Sequence, residues 1–393
     1  MQNLNRRFFL KSAALIGCSA AAHPLLNSMT FAALPGDNRL VVIILRGAMD
    51  GLDVIQPYGD PMLARLRQKL SVGPDKGALD LNGFYALHPR LAPLLPLWQK
   101  GEMAFAHAVS TPYRDKRSHF DGQDLLEAGT GNDLPIDRRV GGWLNRLLQA
   151  LPGARAETAY SVGFEQMRIL SGEAAHLSWA PRASLRMSSR ARQLLDHVYH
   201  DDPLFREAAR DAAQISADSP PIDKIQGPTA DVQGLGAFAA SRLNGESRIA
   251  AFSIAGWDSH ATQEAVIGRA LDRLAAAILA LRDGLGPNWA RTTVLAMTEF
   301  GRTVRENGSV GTDHGTGGAL LMAGGAIRGG RAYGDWPGLA EDQLYAGRDL
   351  MPTRDVRAYA AWAMRGLFGT GQEVLERSIF PGLDLGDDPG ILA

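Results

Sequence analysis

Cysteine is almost absent from this chain of 393 residues, in which Cys18 is the only one. It lies in an N-terminal segment that we predict is removed, so the mature chain would have no disulfide framework, thiolate metal site or cysteine nucleophile. An excess of one charge is also lacking, because 41 basic residues nearly balance 42 acidic ones. No overall field therefore recruits nucleic acid or an acidic membrane surface.

Linkers and nucleotide-binding motifs are missing as well. No Ser/Gly-rich linker or long charge run divides the sequence, which favours one large domain over residues 34–393. The glycine pairs at 324–325 and 329–330 are not followed by Lys-Ser/Thr, and no G-x-G-x-x-G spacing follows a strand. Nucleotide binding through a glycine-rich loop is therefore not expected.

The N-terminus carries an export signature. Residues 5–11 contain paired arginines followed by two phenylalanines, and a short apolar stretch at 12–22 precedes a small-x-small sequence at 30–32. We predict a twin-arginine signal peptide over 1–33, passage through the twin-arginine translocase, and a periplasmic or secreted bacterial protein. The apolar stretch is shorter than the ~20 residues of a membrane-spanning helix. A lipoprotein anchored through Cys18 stays an alternative, because residues 15–18 resemble a lipobox.

Short apolar runs alternate with amphipathic segments along the rest of the chain. Continuous apolar runs predict strands, and apolar residues three and four apart predict helices. The predicted strands are 40–45, 103–109, 159–163, 249–255, 292–297 and 319–323, and the predicted helices are 61–70, 88–99, 120–127, 143–151, 188–217, 264–285 and 355–367. This alternation favours an α/β fold with a mostly parallel sheet and helices on both faces.

Carboxylates and imidazoles flank the ends of four predicted strands. The six residues are Asp50, Asp258, His260, Glu299, Asp313 and His314. Ligands of α/β proteins bind at the carboxyl ends of parallel strands, so we expect these side chains to line one mouth of the sheet. Oxygen and imidazole donors suit a divalent metal such as Zn, Mn or Ca.

Each group of residues also has a structural interpretation when it is taken alone. Asp258 could close an Asx-turn, and Glu299 could pair with Arg302. His314 could bond to a backbone carbonyl. We interpret three further residues as packing residues of helix starts or of the core: His88, His107 and Trp143.

Six short motifs together identify a family. They are RGAMDGL at 46–52, RSHFD at 117–121, GGWLNR at 141–146, GWDSH at 256–260, TEFGRT at 298–303 and GTDHG at 311–315. Over about residues 40–339 the chain resembles the DUF1501 family, which belongs with the alkaline phosphatase-like, sulfatase and cofactor-independent phosphoglycerate mutase superfamily. The resemblance implies an alkaline phosphatase-like three-layer sandwich that holds one or two divalent ions. Asp258, His260 and His314 would hold one ion, and Glu299 with Asp50 the other.

The resemblance also implies a catalytic pair at the start of a helix. Ser118 matches the nucleophile, at a helix N-terminus that would stabilise an anion, and His119 beside it could serve as a ligand or base. Ser118 with Asp121 equally matches a capping box, so a purely structural cap stays open. The basic residues just before it could hold a phosphate or sulfate or form a solvated loop: Arg114, Lys116 and Arg117.

One position departs from the phosphatase pattern. Phe300 stands where those enzymes have a ligand histidine, and the spacing from Asp258 to His260 is shorter than theirs. Two functions are therefore predicted. The first is an exported metal-dependent hydrolase of phosphate or sulfate esters, with a small molecule or a polymer as substrate. The second, which Phe300 favours, is a catalytically silent alkaline phosphatase-like protein that acts as a binding or assembly partner in the cell envelope.

Overall fold

The computed structural model describes residues 36–70, 72–131, 141–163, 167–179 and 225–393. The predicted signal peptide and the predicted helix at 188–217 lie outside the described residues. Within the described residues, none of the helices has the length and apolar character needed to cross a bilayer.

A nine-stranded sheet forms the centre of the described part of the chain. The described strands of both sheets of the protein, in chain order, are β1 (Arg39–Arg46), β2 (Ile55–Gln56), β3 (Leu79–Asp80), β4 (Ala86–Leu87), β5 (Met103–Ser110), β6 (Ala159–Val162), β7 (Leu177–Trp179), β8 (Ile249–Ala255), β9 (Thr292–Thr298), β10 (Gly318–Ala323), β11 (Ala332–Tyr333) and β12 (Arg354–Asp355). The order in the main sheet is β11-β5-β10-β9-β1-β8-β6-β7, and β12 pairs with β5. Strands β2, β4 and β3 form a separate small sheet.

Helices cover this sheet. The described α-helices are α1 (Gly51–Val54), α2 (Pro61–Leu66), α3 (Leu95–Gln99), α4 (His119–Ala128), α5 (Trp143–Ala150), α6 (Ala230–Leu243), α7 (Gln263–Leu285), α8 (Val356–Phe368) and α9 (Gln372–Val374). Short 3₁₀ segments lie at Pro74–Lys76, Pro89–Leu94, Ala156–Thr158, Arg168–Leu170, Gly286–Arg291 and Glu341–Gln343, and a π-helical turn lies at Leu375–Ile379.

The direction of the strands brings the functional loops to one edge. Strands β8 and β9 both run parallel to β1, whereas β10 is antiparallel to β9 and β5. The reversed β10 therefore begins at the edge where β1, β8 and β9 end. The loop before β10, with Asp313 and His314, thus meets the loops that follow the three parallel strands.

The side chains of β1 alternate between two cores, as the period of a strand requires. Val41, Ile43 and Leu45 pack in a core that includes residues of α6 and α7. Leu40 and Val42 pack on the other face, in a core that includes residues of α5 and α8. Helices therefore lie on both faces of a mostly parallel sheet, which confirms the predicted three-layer α/β sandwich.

Two predicted helices differ from the observed elements. The helix predicted at 61–70 ends at Leu66, because Arg67 leaves the helical conformation and turns its guanidinium to Asp50. The helix predicted at 88–99 is a 3₁₀ segment followed by α3, since proline in this stretch removes backbone donors that a continuous α-helix needs.

The three residues interpreted as packing residues are all buried. His88 caps the 3₁₀ segment, with its Nδ1 accepting from the backbone N–H of Arg90 at 3.1 Å. Trp143 is fully buried at the start of α5. The Nε2 atom of His107 lies 2.7 Å from the carbonyl oxygen of Ile55.

Candidate metal centre

The buried guanidinium of Arg302 ties the loops at the sheet edge together. It donates to the backbone oxygens of Ala48 at 2.8 Å, Gly47 at 2.7 Å and Thr312 at 3.0 Å, and to Asp258 Oδ1 at 2.5 Å. The guanidinium of Arg302 thus bonds to loops that adjoin three different strands. The pairing of Glu299 with Arg302, which the sequence left open, is wrong, because Arg302 pairs with Asp258 instead.

Glu299 is fully buried directly after β9. Its Oε1 atom accepts from the backbone N–H groups of Gly47 at 2.9 Å and Ala48 at 3.0 Å, and lies 2.8 Å from Nδ1 of His119. Burial alone would raise the pKa of Glu299, but the hydrogen bonds from His119 and the backbone outweigh it and hold the pKa below its usual range. Glu299 is therefore an anion that orients the imidazole.

His119 is the first residue of α4, and Ser118 is its N-cap, with Ser118 Oγ accepting from the N–H of Asp121 at 3.4 Å. Since Nδ1 of His119 is bonded to Glu299, its Nε2 atom is directed towards Asp258 Oδ2 at 3.5 Å. This Nε2 atom is buried and has no hydrogen-bond partner among the described residues. Phe300 stacks on the ring with centroids 5.3 Å apart, so it supports this histidine.

Two further imidazoles reach Asp258, one from its own loop and one from the loop before β10. The Nδ1 atom of His314 lies 2.9 Å from the carbonyl oxygen of Arg117, which is the backbone contact of the structural interpretation, and its Nε2 lies 3.5 Å from Asp258 Oδ1. The Nε2 atom of His260 lies 3.2 Å from the same oxygen and 2.9 Å from Nε2 of His314. On its other side, His260 Nδ1 lies 3.2 Å from Asp313 Oδ1.

We call His119, Asp258, His260 and His314 the candidate metal centre. In the neutral forms of His119 and His314, the acceptors at Nδ1 assign the proton to that nitrogen and leave a lone pair on Nε2. One ligand atom each from His119, Asp258 and His314 lie within 4.8 Å of one another. Nitrogen and carboxylate donors whose histidines are held by an outer carboxylate or carbonyl are typical of zinc sites.

Electrostatics around the candidate metal centre favour the deprotonated forms of Asp258 and His314, whereas they favour the protonated form of His119. Burial would raise the pKa of Asp258, but the hydrogen bond from Arg302 outweighs it and lowers the pKa. Burial lowers the pKa of His314, which favours its neutral form. The bond to Glu299 raises the pKa of His119, and the same bond increases the basicity of that imidazole as a ligand.

Asp50 makes its contacts elsewhere. Its carboxylate accepts two hydrogen bonds from Arg67, at 2.7 Å and 3.0 Å, and one from Gln263 at 2.7 Å, and it caps α1 through the N–H of Leu52. The predicted ligands therefore separate into two groups. Asp258, His260, Asp313 and His314 lie together, with Glu299 behind His119, whereas Asp50 forms a buried ion pair.

Two residues of this region were missed by sequence reasoning. Arg67 stood inside an amphipathic pattern, and no local signal marked it as the partner of Asp50. Gln263 is the first residue of α7, three residues after His260. Its polar side chain so close to a predicted ligand was the one signal in the sequence for a role near the site.

The predicted basic cluster is divided in the structure. The guanidinium of Arg114 donates to the carbonyl oxygens of Thr111 and Tyr113, so it is engaged with the loop. Arg117 is exposed and holds a positive φ of 53°, and its carbonyl is the one that orients His314. Arg117 and Arg348 line a small cleft beside Gly315.

Comparison with known proteins places the chain in a family. No curated protein matches the sequence significantly. Among solved structures, the chain is similar to a protein in the alkaline phosphatase superfamily from Vibrio parahaemolyticus, with 12% identity, a TM-score of 0.41, and coverage of 91% of this chain and 73% of that one. It is also similar to the C-terminal periplasmic domain of EcEptC from Escherichia coli in complex with Zn, with 9% identity, a TM-score of 0.33 and 74% coverage of each chain.

A third similar structure is a TAB5 alkaline phosphatase mutant with bound Mg, at 13% identity and a TM-score of 0.34, covering 73% of this chain and 91% of that one. Such low TM-scores leave the activity and the ligand of this chain open. The sequence match is more decisive, because residues 99–361, more than half of the chain, match the family described as "Protein of unknown function (DUF1501)". The chain therefore belongs to the DUF1501 family, as its six motifs predicted.

Proposed function

We propose that this protein is an exported, metal-dependent hydrolase of phosphate or sulfate esters that binds one divalent ion at the candidate metal centre. The observation that carries the proposal is the Nε2 atom of His119, which is buried, has no hydrogen-bond partner in the described part of the chain and faces the carboxylate of Asp258. The repulsion between this nitrogen and the carboxylate, 3.5 Å apart, is relieved either by a cation that both bind or by a proton on Nε2, and the metal content of the protein distinguishes the two.

Charge balance supports one ion rather than two. Asp50 is already compensated by Arg67 through two hydrogen bonds. Glu299 is occupied by His119 and by two backbone N–H groups. Both acids that the resemblance assigned to a second ion are thus satisfied by the protein itself. Asp258 bonds to Arg302 through Oδ1, and its Oδ2 faces Nε2 of His119.

The residues around the candidate metal centre suit an anionic ester. A bound divalent ion supplies Lewis-acid chemistry there, polarising an ester oxygen. The first N–H groups of α4 and the exposed guanidinium of Arg117 favour the negative charge of a phosphate or sulfate group. Ser118, directly before His119, would form the bond from Oγ to phosphorus or sulfur as the ester bond breaks, with its proton passing to the departing alcohol oxygen. A water molecule would then release the phosphate or sulfate and restore the serine hydroxyl.

A second function is favoured by a specific observation. Ser118 Oγ already serves as the N-cap of α4, and Phe300, in place of a ligand histidine, packs against His119. A protein with this arrangement could keep the ion for structure and act as a binding or assembly partner in the cell envelope. The two functions share the candidate metal centre and differ in whether Ser118 reacts.

Metal content tests the proposal first. Plasma mass spectrometry of the exported protein is expected to find about one equivalent of Zn, Mn or Ca per chain, lost in Asp258→Ala and His314→Ala. The matched control is His176→Ala, a histidine outside the candidate metal centre, which is expected to keep the ion. A wild-type chain that is metal-free and cannot be reconstituted would overturn the metal-dependent function.

A substrate panel separates the two functions. Aryl phosphates and aryl sulfates are offered to the metal-loaded protein, and release of the phenol is followed by absorbance. Hydrolysis of one ester class that disappears in Asp258→Ala supports the hydrolase. A protein that holds its ion and releases no phenol from either class contradicts the hydrolase and favours the silent envelope partner.

A further inference from the structure

Gln263 lies at the junction of a buried polar network behind the candidate metal centre. It is fully buried at the first position of α7. Its Oε1 atom accepts from Ser259 Oγ at 3.0 Å and from Thr312 Oγ1 at 2.7 Å. Its Nε2 group donates to Asp50 Oδ2 at 2.7 Å and to Asp53 Oδ2 at 2.8 Å. The amide therefore uses both of its donors and both of its acceptor sites.

The two hydroxyl groups belong to the loops that carry the ligands. Ser259 lies between Asp258 and His260, and Thr312 lies two residues before His314. One oxygen atom of Gln263 thus connects both loops. A backbone bond from Thr312 N to the Ser259 carbonyl, at 3.1 Å, runs alongside these contacts.

The start of α7 is itself held in place against these loops. Thr262, directly before Gln263, has a φ of +46° and a ψ of +46°, a left-handed conformation that costs a residue with a branched side chain. The backbone N–H groups of Thr262 and Gln263 donate to the carbonyls of Ser309 and Val310. The loop that contains Ser309 and Val310 therefore fixes the position of the Gln263 backbone.

Charge determines which way the amide faces. Two carboxylates, Asp50 and Asp53, lie on one side of it, and only the NH₂ group can bond to them favourably. The amide oxygen must then face Ser259 and Thr312. Replacement by glutamate would bring a third carboxylate to this side and would remove both donors, so an amide is required rather than any side chain of this size.

We propose that Gln263 is a positioning residue of the candidate metal centre, whose amide sets the separation between the loop of Asp258 and His260 and the loop of His314. The inference rests on the proposed function in one respect, namely that an ion binds there. Loss of the bridge lets the two loops separate, which changes the distances between the donor atoms without removing any of them. A metal centre loses affinity when such outer contacts are removed.

Cobalt(II) provides the test, because its visible absorption reports the arrangement of its ligands independently of any activity. Gln263→Leu removes the bridge but is expected to strand buried carboxylates and can fail to fold. Thr312→Val and Ser259→Ala therefore remove only the hydroxyl contacts, and Thr312→Ser restores one of them. Thr316→Val is the matched control, since Thr316 is a buried threonine whose hydroxyl bonds to Asp349 instead.

We expect Thr312→Val combined with Ser259→Ala to raise the Kd for cobalt at least tenfold and to alter the visible spectrum. Thr312→Ser and Thr316→Val are expected to keep the wild-type Kd and spectrum. A double variant that binds cobalt with the wild-type Kd and spectrum overturns the role of Gln263 while leaving the metal centre standing. A wild-type chain that binds no cobalt overturns the metal centre and this inference with it.

Discussion

Glu299 and His119 form a buried carboxylate–imidazole pair across the mouth of the sheet, with Glu299 Oε1 at 2.8 Å from His119 Nδ1. The pair fixes the ring so that its free nitrogen faces Asp258. Glu299→Gln keeps the shape and the hydrogen-bond acceptor but removes the charge. We expect the variant to fold and to bind its ion about 10–100-fold more weakly, as loss of an outer carboxylate does elsewhere.

A competition titration against a chromophoric chelator measures that loss. The matched control is Glu127→Gln, because Glu127 is another buried glutamate, paired with Arg46 at 2.7 Å and outside the candidate metal centre. Equal metal affinity in the two variants would contradict the assigned role of Glu299.

Two variants of Ser118 distinguish its role as the N-cap of α4 from its proposed role as a nucleophile. Ser118→Ala removes the cap and is expected to lower the free energy of unfolding by about 1 kcal/mol, whereas Ser118→Asn retains a capping oxygen and most of that stability. If Ser118 is the nucleophile, both variants lose ester hydrolysis, because neither has the hydroxyl. Denaturant unfolding and phenol release are measured on the same preparations. Hydrolysis at the wild-type rate in Ser118→Asn would leave Ser118 with a capping role alone.

The ion pair of Arg67 and Asp50 lies entirely in the interior, with both side chains almost inaccessible to solvent. Arg67→Met leaves a buried carboxylate uncompensated and is expected to lower the free energy of unfolding by about 3–5 kcal/mol. The double variant Asp50→Asn/Arg67→Met is expected to recover part of this loss. Urea unfolding followed by far-UV circular dichroism gives the values.

The exposed pair of Glu373 and Arg377 is the matched control for the buried pair. Arg377→Met is expected to change stability little, since solvent screens exposed pairs. An equally small effect of Arg67→Met would show that the buried pair contributes no more than the surface one.

Acid sensitivity is expected from His88. Burial, with a further contribution from Arg90, lowers the pKa of His88 from 6.5 to about 4. The unfolded chain therefore binds the proton first, so stability is retained above pH 6.5 and is lost as pH falls from there to about 4. The full effect is about 3 kcal/mol.

His88→Asn keeps a capping acceptor for Arg90 N and removes the titrating ring. The variant is expected to lose less stability than the wild type between pH 6.5 and 4, measured by urea unfolding at each pH. Part of the dependence of the unfolding free energy on pH is expected to persist in the variant, because burial also lowers the pKa of His107 to about 4. Identical slopes in variant and wild type would contradict the buried neutral state of His88.

Much of the fold could be predicted because buried strands and helices show local apolar patterns in the sequence. β1, β8 and β9 are continuous apolar runs, and α7 shows apolar residues at helical spacing over its whole length. The end of α2 could not be predicted in the same way. Leu66 and Arg67 continue the helical pattern, but the carboxylate of Asp50, which no local pattern identifies as a partner, binds the guanidinium of Arg67.

The sequence by itself determined that Asp258, His260 and Glu299 lie at one edge of a sheet, because they directly follow buried strands of an α/β fold. Only the tertiary structure decided that His119 joins them, that Glu299 supports it from behind and that Asp50 turns to Arg67. These contacts join side chains that are far apart in the chain, and the local periodicity of the sequence carries no information about such distances. The reversed β10 is the clearest case, because the direction of a strand is set by the path of the loops around it and not by its own residues.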